Sequence, residues 1–230
     1  MKKRLAKVLA AAGIASRRAA EKLILKGEVA VNGVVVKLPQ TLVDPQTDRL
    51  IFNGKTVKHE EKKVYFLLNK PAGYICTHPT KSKKSILHFF SHIDLRLFTV
   101  GRLDQETQGL LLVTNDGLFA HRIIHPSHKI TKEYLAKTDQ EITSTHLKTL
   151  AQGINIDEKL IKPLSVKKVR RGTIKIVISE GKKHEVRLLL AHAGLHPQQL
   201  IRIRLGPLTL NHLPLGQYRE LTEKERAQFV

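Results

Sequence analysis

The first sixty residues place apolar side chains at two different spacings. Leu5, Val8, Leu9 and Ala12 recur at helical intervals, and Gly13 then supplies a stop. Ser16 comes next as a helix N-cap, with Ala19, Leu23 and Ile24 on the apolar face of a second helix. The spacing then shortens to that of strands. Val29-Ala-Val31, Asn32-Gly33 and Val34-Val-Val36 read as a hairpin, because Asn-Gly accepts the left-handed backbone that a tight two-residue turn requires. Leu50-Ile-Phe52 and Lys55-Thr-Val57 around Asn53-Gly54 read as a second hairpin.

Beyond a polar run at 57–63, VKHEEKK, strands and helices mix. Strands are expected at 64–69, 98–100, 110–114, 132–137, 173–179 and 200–204, and helices at 118–124, 145–152, 184–193 and 222–229. The last helix opens on a Thr222-x-x-Glu225 capping box, and Gly153 and Gly194 are stops. Strands outnumber helices and do not alternate with them strictly. The expected fold class is α+β: a small helical and hairpin domain over 1–60, then a domain over 64–230 with a largely antiparallel or mixed sheet. No Gly-rich phosphate fingerprint follows any strand, which argues against a nucleotide-cofactor fold. No internal repeat or low-complexity tract is visible.

Charge changes this picture. The 230 residues hold 40 Lys and Arg against 20 Asp and Glu, a net of +20. Residues 1–60 contribute +7 of this and the remainder +13. Both parts call for a polyanionic partner. The N-terminus, MKKRLAKVLAAAGIASRRAA, imitates a signal peptide, but Lys7 interrupts its short apolar run and Arg17-Arg18 stand where a cleavage site would be. No apolar run approaches the roughly 18 residues that span a bilayer. The excess charge spreads along the whole chain without aromatic anchors, so no membrane partner is expected and the expected location is the cytoplasm. Cys76 is the single cysteine, which rules out an internal disulfide and a cysteine-based zinc cluster.

Candidate chemistry falls in a few places. Arg17 and Arg18 occupy the first turn of the second helix, where the dipole disfavours cations but free amides attract anions. They are either solvated charges or phosphate contacts, and Lys22 and Lys26 extend the same basic surface. In Val100-GRLDQETQGLLLVTNDG, Gly101 and Gly109 bracket a polar loop between apolar strands, with Asp104 at its middle beside Arg102 and Thr107. An aspartate in such a loop is more commonly a solvated turn residue. Tyr134 sits in an alternating strand, where its phenol can stack, hydrogen-bond or move a proton, although packing is the commoner role. His184 and Arg187, in Glu180-GKKHEVRLLL, are three apart at the start of a helix and share a face; Arg187 can reach a carboxylate and hold it ionised. The alternative is a surface pair. His121, His125 and His128 have metal-like spacing, but Pro126 breaks any helix through them and no cysteine or acidic cluster joins them, so no metal is expected.

Taken together, these segments resemble the RsuA-type ribosomal RNA pseudouridine synthases, a group that includes the RluB branch. GRLDQETQGLLLVTNDG resembles the family's catalytic segment, and Asn69-KPAGYICT the strand and turn before it. Lys132-Glu-Tyr134, Gly181-KKHEVR, Leu200-IRIRLGPL and Leu215-GQYRELTEKE resemble its tyrosine, basic, leucine and terminal segments. Ser16-Arg17-Arg18 and Val31-Asn32-Gly33 resemble an S-four type RNA-binding domain. The resemblance spans nearly the whole chain in the expected order.

It implies a two-lobed catalytic part behind a hinged RNA-binding module, and the isomerisation of uridine to pseudouridine in RNA. That reaction is redox-neutral, so no cofactor is implied. It implies that Asp104 is the catalytic carboxylate, that Arg187 supplies the charge that keeps it ionised, and that Tyr134 packs against an extruded uracil. Leu200 would line the pocket, Arg102 would contact RNA, and His184 would contact pocket or RNA. The expected partner is ribosomal RNA or a ribosomal subunit precursor, met by a monomer. A non-catalytic ribosome-assembly protein built on the same modules is the alternative. Meeting of Asp104, Tyr134 and Arg187 in one cleft separates the two.

Overall fold

A computed structural model describes residues 1–57, 61–77, 83–156, 158–182 and 184–229. The chain divides into two compact units. The first comprises residues 1–64 with the short segments 94–96 and 115–117, and the second holds the rest.

In the first unit, β1 (Lys3–Arg4) leads into α1 (Leu5–Ala11) and then α2 (Arg17–Leu25). Gly13 takes φ +76° just beyond α1, and Ser16 caps α2 by accepting from the Ala19 amide at 3.1 Å. Strands β2 (Val29–Val31) and β3 (Val34–Val35), β4 (Leu42–Val43), β5 (Leu50–Phe52) and β6 (Lys55–Thr56) come after them. Both Asn-Gly pairs adopt positive φ at both residues, Asn32 +52° and Gly33 +85°, Asn53 +48° and Gly54 +74°, which matches the right-handed twist of the flanking strands. The order β3-β2-β5-β6 forms one antiparallel sheet, and β1 pairs with β4. Leu5, Leu9, Ala20, Ile24, Val29 and Val43 meet in its core. The two-residue strands β1 and β4 are too short to announce themselves by alternation. Of the polar run at 57–63, residues 58–60 lie outside the described residues.

The second unit is built on β7 (Tyr65–Lys70), β8 (Phe98–Val100), β9 (Thr107–Thr114), β10 (Lys132–Lys137), β11 (Ile154–Ile156), β12 (Lys159–Ile161), β13 (Ser165–Arg170), β14 (Thr173–Ile178), β15 (Gln199–Leu205), β16 (Leu208–Thr209) and β17 (Tyr218–Glu220). Helices α3 (Gly117–Ile124), α4 (Ser144–Gln152), α5 (Glu185–His192) and α6 (Glu223–Ala227) join them. Among the described residues the main sheet has nine strands, ordered β13-β14-β10-β15-β9-β7-β17, with β16 on β15 and β8 on β9. Only the β15–β9 pair is parallel in this sheet. The fold is thus α+β, as the mixed order of elements implied.

Strands β7 and β9 are apolar at successive positions because both of their faces are covered. Leu67, Leu110 and Leu112 pack with Phe119, Ala120 and Ile123 of α3 on one side. On the other, Phe66 meets Phe90 at 5.3 Å and Tyr218 at 5.4 Å between ring centres. Strand β14, in contrast, alternates: Ile174, Ile176 and Ile178 are buried while Lys175 and Val177 are half-buried. Helix α6 is shorter than expected, but its capping box is present; Thr222 Oγ1 accepts from the Glu225 amide at 3.2 Å and Glu225 Oε2 from the Thr222 amide at 2.9 Å. Strands β11, β12 and β13 escape the hydrophobic pattern because the first two are short and β13 is exposed at most of its positions.

Two irregularities shape the middle of the sheet, where β10, β15 and β9 lie side by side. Gly109 does not end a loop; it lies inside β9 at φ +105°, and a Cβ there would stand 2.3 Å from the Arg202 carbonyl oxygen. Strand β15 carries a bulge where β10 pairs with it: Glu133 faces Arg204, Tyr134 faces Arg202, and Ile203 is the extra residue. The bulge sends Arg202 and Arg204 to opposite faces of the sheet. Arg204 Nε reaches Glu133 Oε2 at 2.6 Å on one face, and Arg202 lies beside Tyr134 on the other.

Replacing Gly109 with alanine is expected to destabilise the protein by about 3 kcal/mol, through the backbone clash and the positive φ together. Urea denaturation of Gly109→Ala checks this; a loss under about 0.5 kcal/mol would contradict the close β9–β15 approach.

Candidate active site

The segment between β8 and β9 turns through Gly101 to Glu106 and holds Asp104 at its centre. Such a turn leaves backbone carbonyls without strand partners, and each must find a donor. Here every carbonyl from Leu103 to Thr107 has one. Cys76 Sγ donates to Leu103 O at 3.3 Å, and the Thr107 amide to Asp104 O at 3.0 Å. The Gly73 amide donates to Gln105 O at 2.9 Å, and Arg187 Nη2 to Glu106 O at 3.1 Å.

The largest share falls to Lys70, the last residue of β7, which is fully buried. Its Nζ donates to Asp104 O at 3.2 Å, Gln105 O at 3.0 Å, Thr107 O at 2.9 Å and Pro71 O at 2.9 Å. Burial draws its pKa from 10.5 down to about 8, against the pull of Cys76, Glu106 and Asp104. Burial also pushes the Cys76 thiol up. A buried ammonium is costly unless its protons are all used, and this one has more acceptors than protons.

The loop opens on a cleft of 860 Å³. Asp104, Tyr134, Arg187, Arg102, Leu200 and His184 all line it. The strand register explains the floor. Tyr134 and Ala136 of β10 face Arg202 and Leu200 of β15, which in turn face Gly109 and Thr107 of β9. Alternation places all six on one face of the sheet. Burial raises the Tyr134 phenol above its usual range; the Arg202 guanidinium against it pulls the other way. Lys132 and Glu185 complete the inner wall. Burial lowers the Lys132 ammonium, whose Nζ donates to Ser179 O at 3.0 Å. Burial raises the Glu185 carboxyl, which accepts from the Lys182 amide at 2.8 Å.

One expectation needs correction. Among the described residues Arg187 makes no ion pair with the Asp104 carboxylate; its Nη2 donates to the Glu106 carbonyl at 3.1 Å. The group facing Asp104 is His184, with Nε2 at 3.4 Å from Oδ1. The cause is local. His184 does not open the helix but precedes it in a left-handed conformation, φ +57°, ψ 18°, so it leaves the face it was expected to share with Arg187. The Asp104 side chain is 34% exposed and His184 50%, so both can meet a solute entering the cleft.

Arg17, Arg18, Lys22 and Lys26 belong to the first unit and are all exposed, the first three on α2 and Lys26 at its C-terminal cap. Arg17 Nε lies 4.0 Å from Glu21 Oε1 across one helical turn, and an exposed pair of this kind is worth little. The rings of His121, His125 and His128 stand 4.7 Å and 6.0 Å apart in sequence. Among the described residues no group of three His, Cys, Asp or Glu side chains could hold a metal ion.

A family model described as RNA pseudouridylate synthase matches residues 64–192, and one described as S4 domain matches residues 3–48. The chain belongs to the RNA pseudouridylate synthase family. An uncharacterised RNA pseudouridine synthase of Aquifex aeolicus is 41% identical over 234 residues, covering 99% of this chain and 94% of the relative. Ribosomal large subunit pseudouridine synthase B of Bacillus subtilis is 40% identical, over 96% of this chain and 93% of its own. A chloroplastic protein of Arabidopsis thaliana, named as a putative ribosomal large subunit pseudouridine synthase, is 43% identical over 96% of this chain, which spans 59% of the relative's length. A crystal structure of a pseudouridylate synthase matches with a TM-score of 0.72 and 31% identity, covering 99% of both chains.

Two residues of this pseudouridine synthase escape a reading of the sequence alone. Lys70 stands among surface-like neighbours, Asn69 before it and Pro71 after it. The available signal was its place at the end of a strand buried on both faces. Arg202 stands in an alternation of Arg and Ile that reads as a half-exposed strand, and the bulge that turns it inward leaves no mark in composition.

Lys70→Met would remove one donor from each of four carbonyls, two of which, Asp104 O and Gln105 O, keep an amide donor. It is expected to cost about 3 kcal/mol or more of stability and to slow pseudouridine formation by about 100-fold through misplacement of Asp104. Urea denaturation and single-turnover kinetics measure the two effects; a variant with the wild-type rate would show that the clamp does not position the carboxylate.

Proposed function

We propose that this enzyme converts a uridine of ribosomal RNA to pseudouridine in the cleft that holds Asp104, acting on RNA or on a subunit precursor in the cytoplasm. The Bacillus subtilis and Arabidopsis thaliana relatives are both named for the large ribosomal subunit, which favours large-subunit over small-subunit RNA. In the reaction the bond from C1′ to N1 breaks and one from C1′ to C5 forms. N1 gains a proton and C5 loses one, so neither oxidant nor energy source is consumed. A base inside a helix cannot turn over, and the target nucleotide is therefore extruded into the cleft.

Asp104 is the catalytic carboxylate, whether it attacks the sugar, attacks the base or removes a ribose proton; each version needs it ionised and close to C1′. Tyr134 packs against the uracil and is placed to assist proton removal from C5. Leu200 supplies apolar floor. Arg187 belongs to the same machinery through the Glu106 carbonyl it holds in the Asp104 loop. His184 and Arg102, at the exposed part of the cleft, contact the sugar-phosphate backbone. Residues 1–60 form the capture module, with Arg17, Arg18, Lys22 and Lys26 of α2 on phosphates, and residues 64–230 form the catalytic part, in a monomeric enzyme.

The observation that carries this reading is the convergence of Asp104, Tyr134 and Arg187 on one cleft. A protein that only binds RNA has no need of a carboxylate in its most elaborately anchored loop, where it repels phosphate. Asp104→Asn preserves size and hydrogen bonding but removes the ionisable oxygen. It is expected to abolish pseudouridine formation while RNA affinity stays within about threefold. Pseudouridine mapping of ribosomal RNA, with a filter-binding titration beside it, checks this; an active Asn variant would refute the assignment.

A further inference from the structure

The floor of the cleft contains two buried polar atoms that the protein leaves unused. Arg202 is 3% exposed and Thr107 2% exposed. Arg202 Nη2 and Thr107 Oγ1 are both buried with no hydrogen-bond partner among the described residues. The guanidinium is otherwise fixed: Nε donates to Leu110 O at 2.8 Å, which pins the side chain to β9. It makes no ion pair among the described residues. A cation withdrawn from water without a carboxylate, and with a donor left idle, is unfavourable unless something outside the chain completes it.

We propose that Arg202 Nη2 and Thr107 Oγ1 form the subsite that reads a ring carbonyl of the extruded uracil, and so help to select uridine. The proposal rests on the reading of the Asp104 cleft as the site of pseudouridine formation and adds a base-recognition role to two residues that reading leaves without one. Three structural features converge on it. The parallel register puts Thr107 opposite Leu200 and Gly109 opposite Arg202, so the glycine lets β15 approach closely enough to bring both polar groups to one floor. The bulge at Ile203 turns Arg202 towards Tyr134 rather than towards Glu133. Leu200, Ile178 and Leu205 make the surrounding floor apolar, which suits the faces of a planar ring.

The chemistry favours a carbonyl over a phosphate. The exposed cations of the cleft, Arg102, Lys129 and Lys182, are where a solvated phosphate can bind without being stripped of water. Arg202 is buried beside the phenol that meets the base. Uracil offers two carbonyl oxygens flanking N3–H. A guanidinium N–H donates to such an oxygen, and a threonine hydroxyl can take the neighbouring N–H. If the carbonyl read is O4, the amino group at position 4 of cytosine meets the guanidinium as donor against donor; if it is O2, cytosine keeps that acceptor but lacks the N3–H that the hydroxyl takes, and either mismatch discriminates.

The test uses an RNA fragment on which the wild-type enzyme forms pseudouridine and Asp104→Asn does not. The target position carries uridine, 2-thiouridine or 4-thiouridine, since sulfur is the poorer acceptor, and single-turnover rates are compared. The wild-type enzyme is expected to lose about tenfold in rate with sulfur at one of the two positions. Arg202→Gln is expected to be slower on uridine by about tenfold or more and to show no further loss with sulfur at that position. Thr107→Val, which keeps the shape of the side chain, should lose several-fold on uridine. A general structural role for Arg202 would slow every substrate alike and leave the sulfur effect in place. Retention of that effect in Arg202→Gln, or no sulfur effect in the wild type, overturns the proposal. If Arg202→Gln does not fold, as judged by its thermal transition, Thr107→Val decides, and a wild-type rate on uridine overturns the subsite. Activity in Asp104→Asn would instead sink the reading of the cleft itself.

Discussion

Five consecutive carbonyls, from Leu103 to Thr107, must be satisfied where the chain turns into the cleft, and a single buried ammonium serves three of them. Lys70 Nζ bonds Asp104 O, Gln105 O and Thr107 O, and adds Pro71 O from the residue beside it. The loop that carries Asp104 is therefore held largely through its backbone carbonyls, and the Asp104 side chain faces the cleft and His184. Anchoring through that side chain would have spent the group to which we assign the chemistry. The arrangement also couples the site to the core. Strand β7 is locked by Leu67, Phe66 and their neighbours on both faces, so the position of Nζ is set by packing far more rigid than a surface loop.

The same economy appears in the sheet. A parallel pair of strands, a glycine that admits close approach and one bulge are enough to bring Thr107, Arg202, Leu200 and Tyr134 to a common floor. The walls add cations, and the chain as a whole carries +20. In the proposed function long-range attraction gathers RNA, whereas the buried groups meet only a nucleotide that has left its stack. Affinity and selectivity would then draw on different residues, following the division between phosphate contacts and base contacts.

Much of this was readable from residues alone where local rules dominate. The Asn-Gly turns, the Ser16 cap and the Thr222 capping box depend on side chains a few positions apart, and each is present as expected. The apolar runs of β7 and β9 mark strands buried on both faces. Asp104, Tyr134 and Arg187 were candidates among commoner structural readings, the family resemblance singled them out and added Leu200, and all four line one cleft. What stayed hidden depends on tertiary context. Lysine and arginine are almost always surface groups, so only its place at the end of an apolar strand separates Lys70 from the other basic residues, and nothing separates Arg202. The inward turn of Arg202 rests on a bulge, and the pairing of His184 rather than Arg187 with Asp104 rests on one left-handed residue ahead of α5. Neither is written in a period or a propensity.

A charged Lys70 holds the Asp104 loop, and on that everything else turns. Burial brings its pKa to about 8, so the ammonium is complete below that pH and lost above it. A neutral amine has too few N–H groups for its four carbonyls. Because the unfolded chain holds this proton more tightly than the folded one, rising pH between about 8 and 10.5 opens the clamp without itself favouring unfolding. The most direct measurement is the NMR titration of Lys70 Nζ in isotope-labelled protein, with single-turnover pseudouridine formation followed over the same pH range. The account predicts a midpoint near 8 and a rate that falls along the same curve while the fold persists. A midpoint in the ordinary lysine range, or a rate indifferent to the loss of that proton, would contradict it.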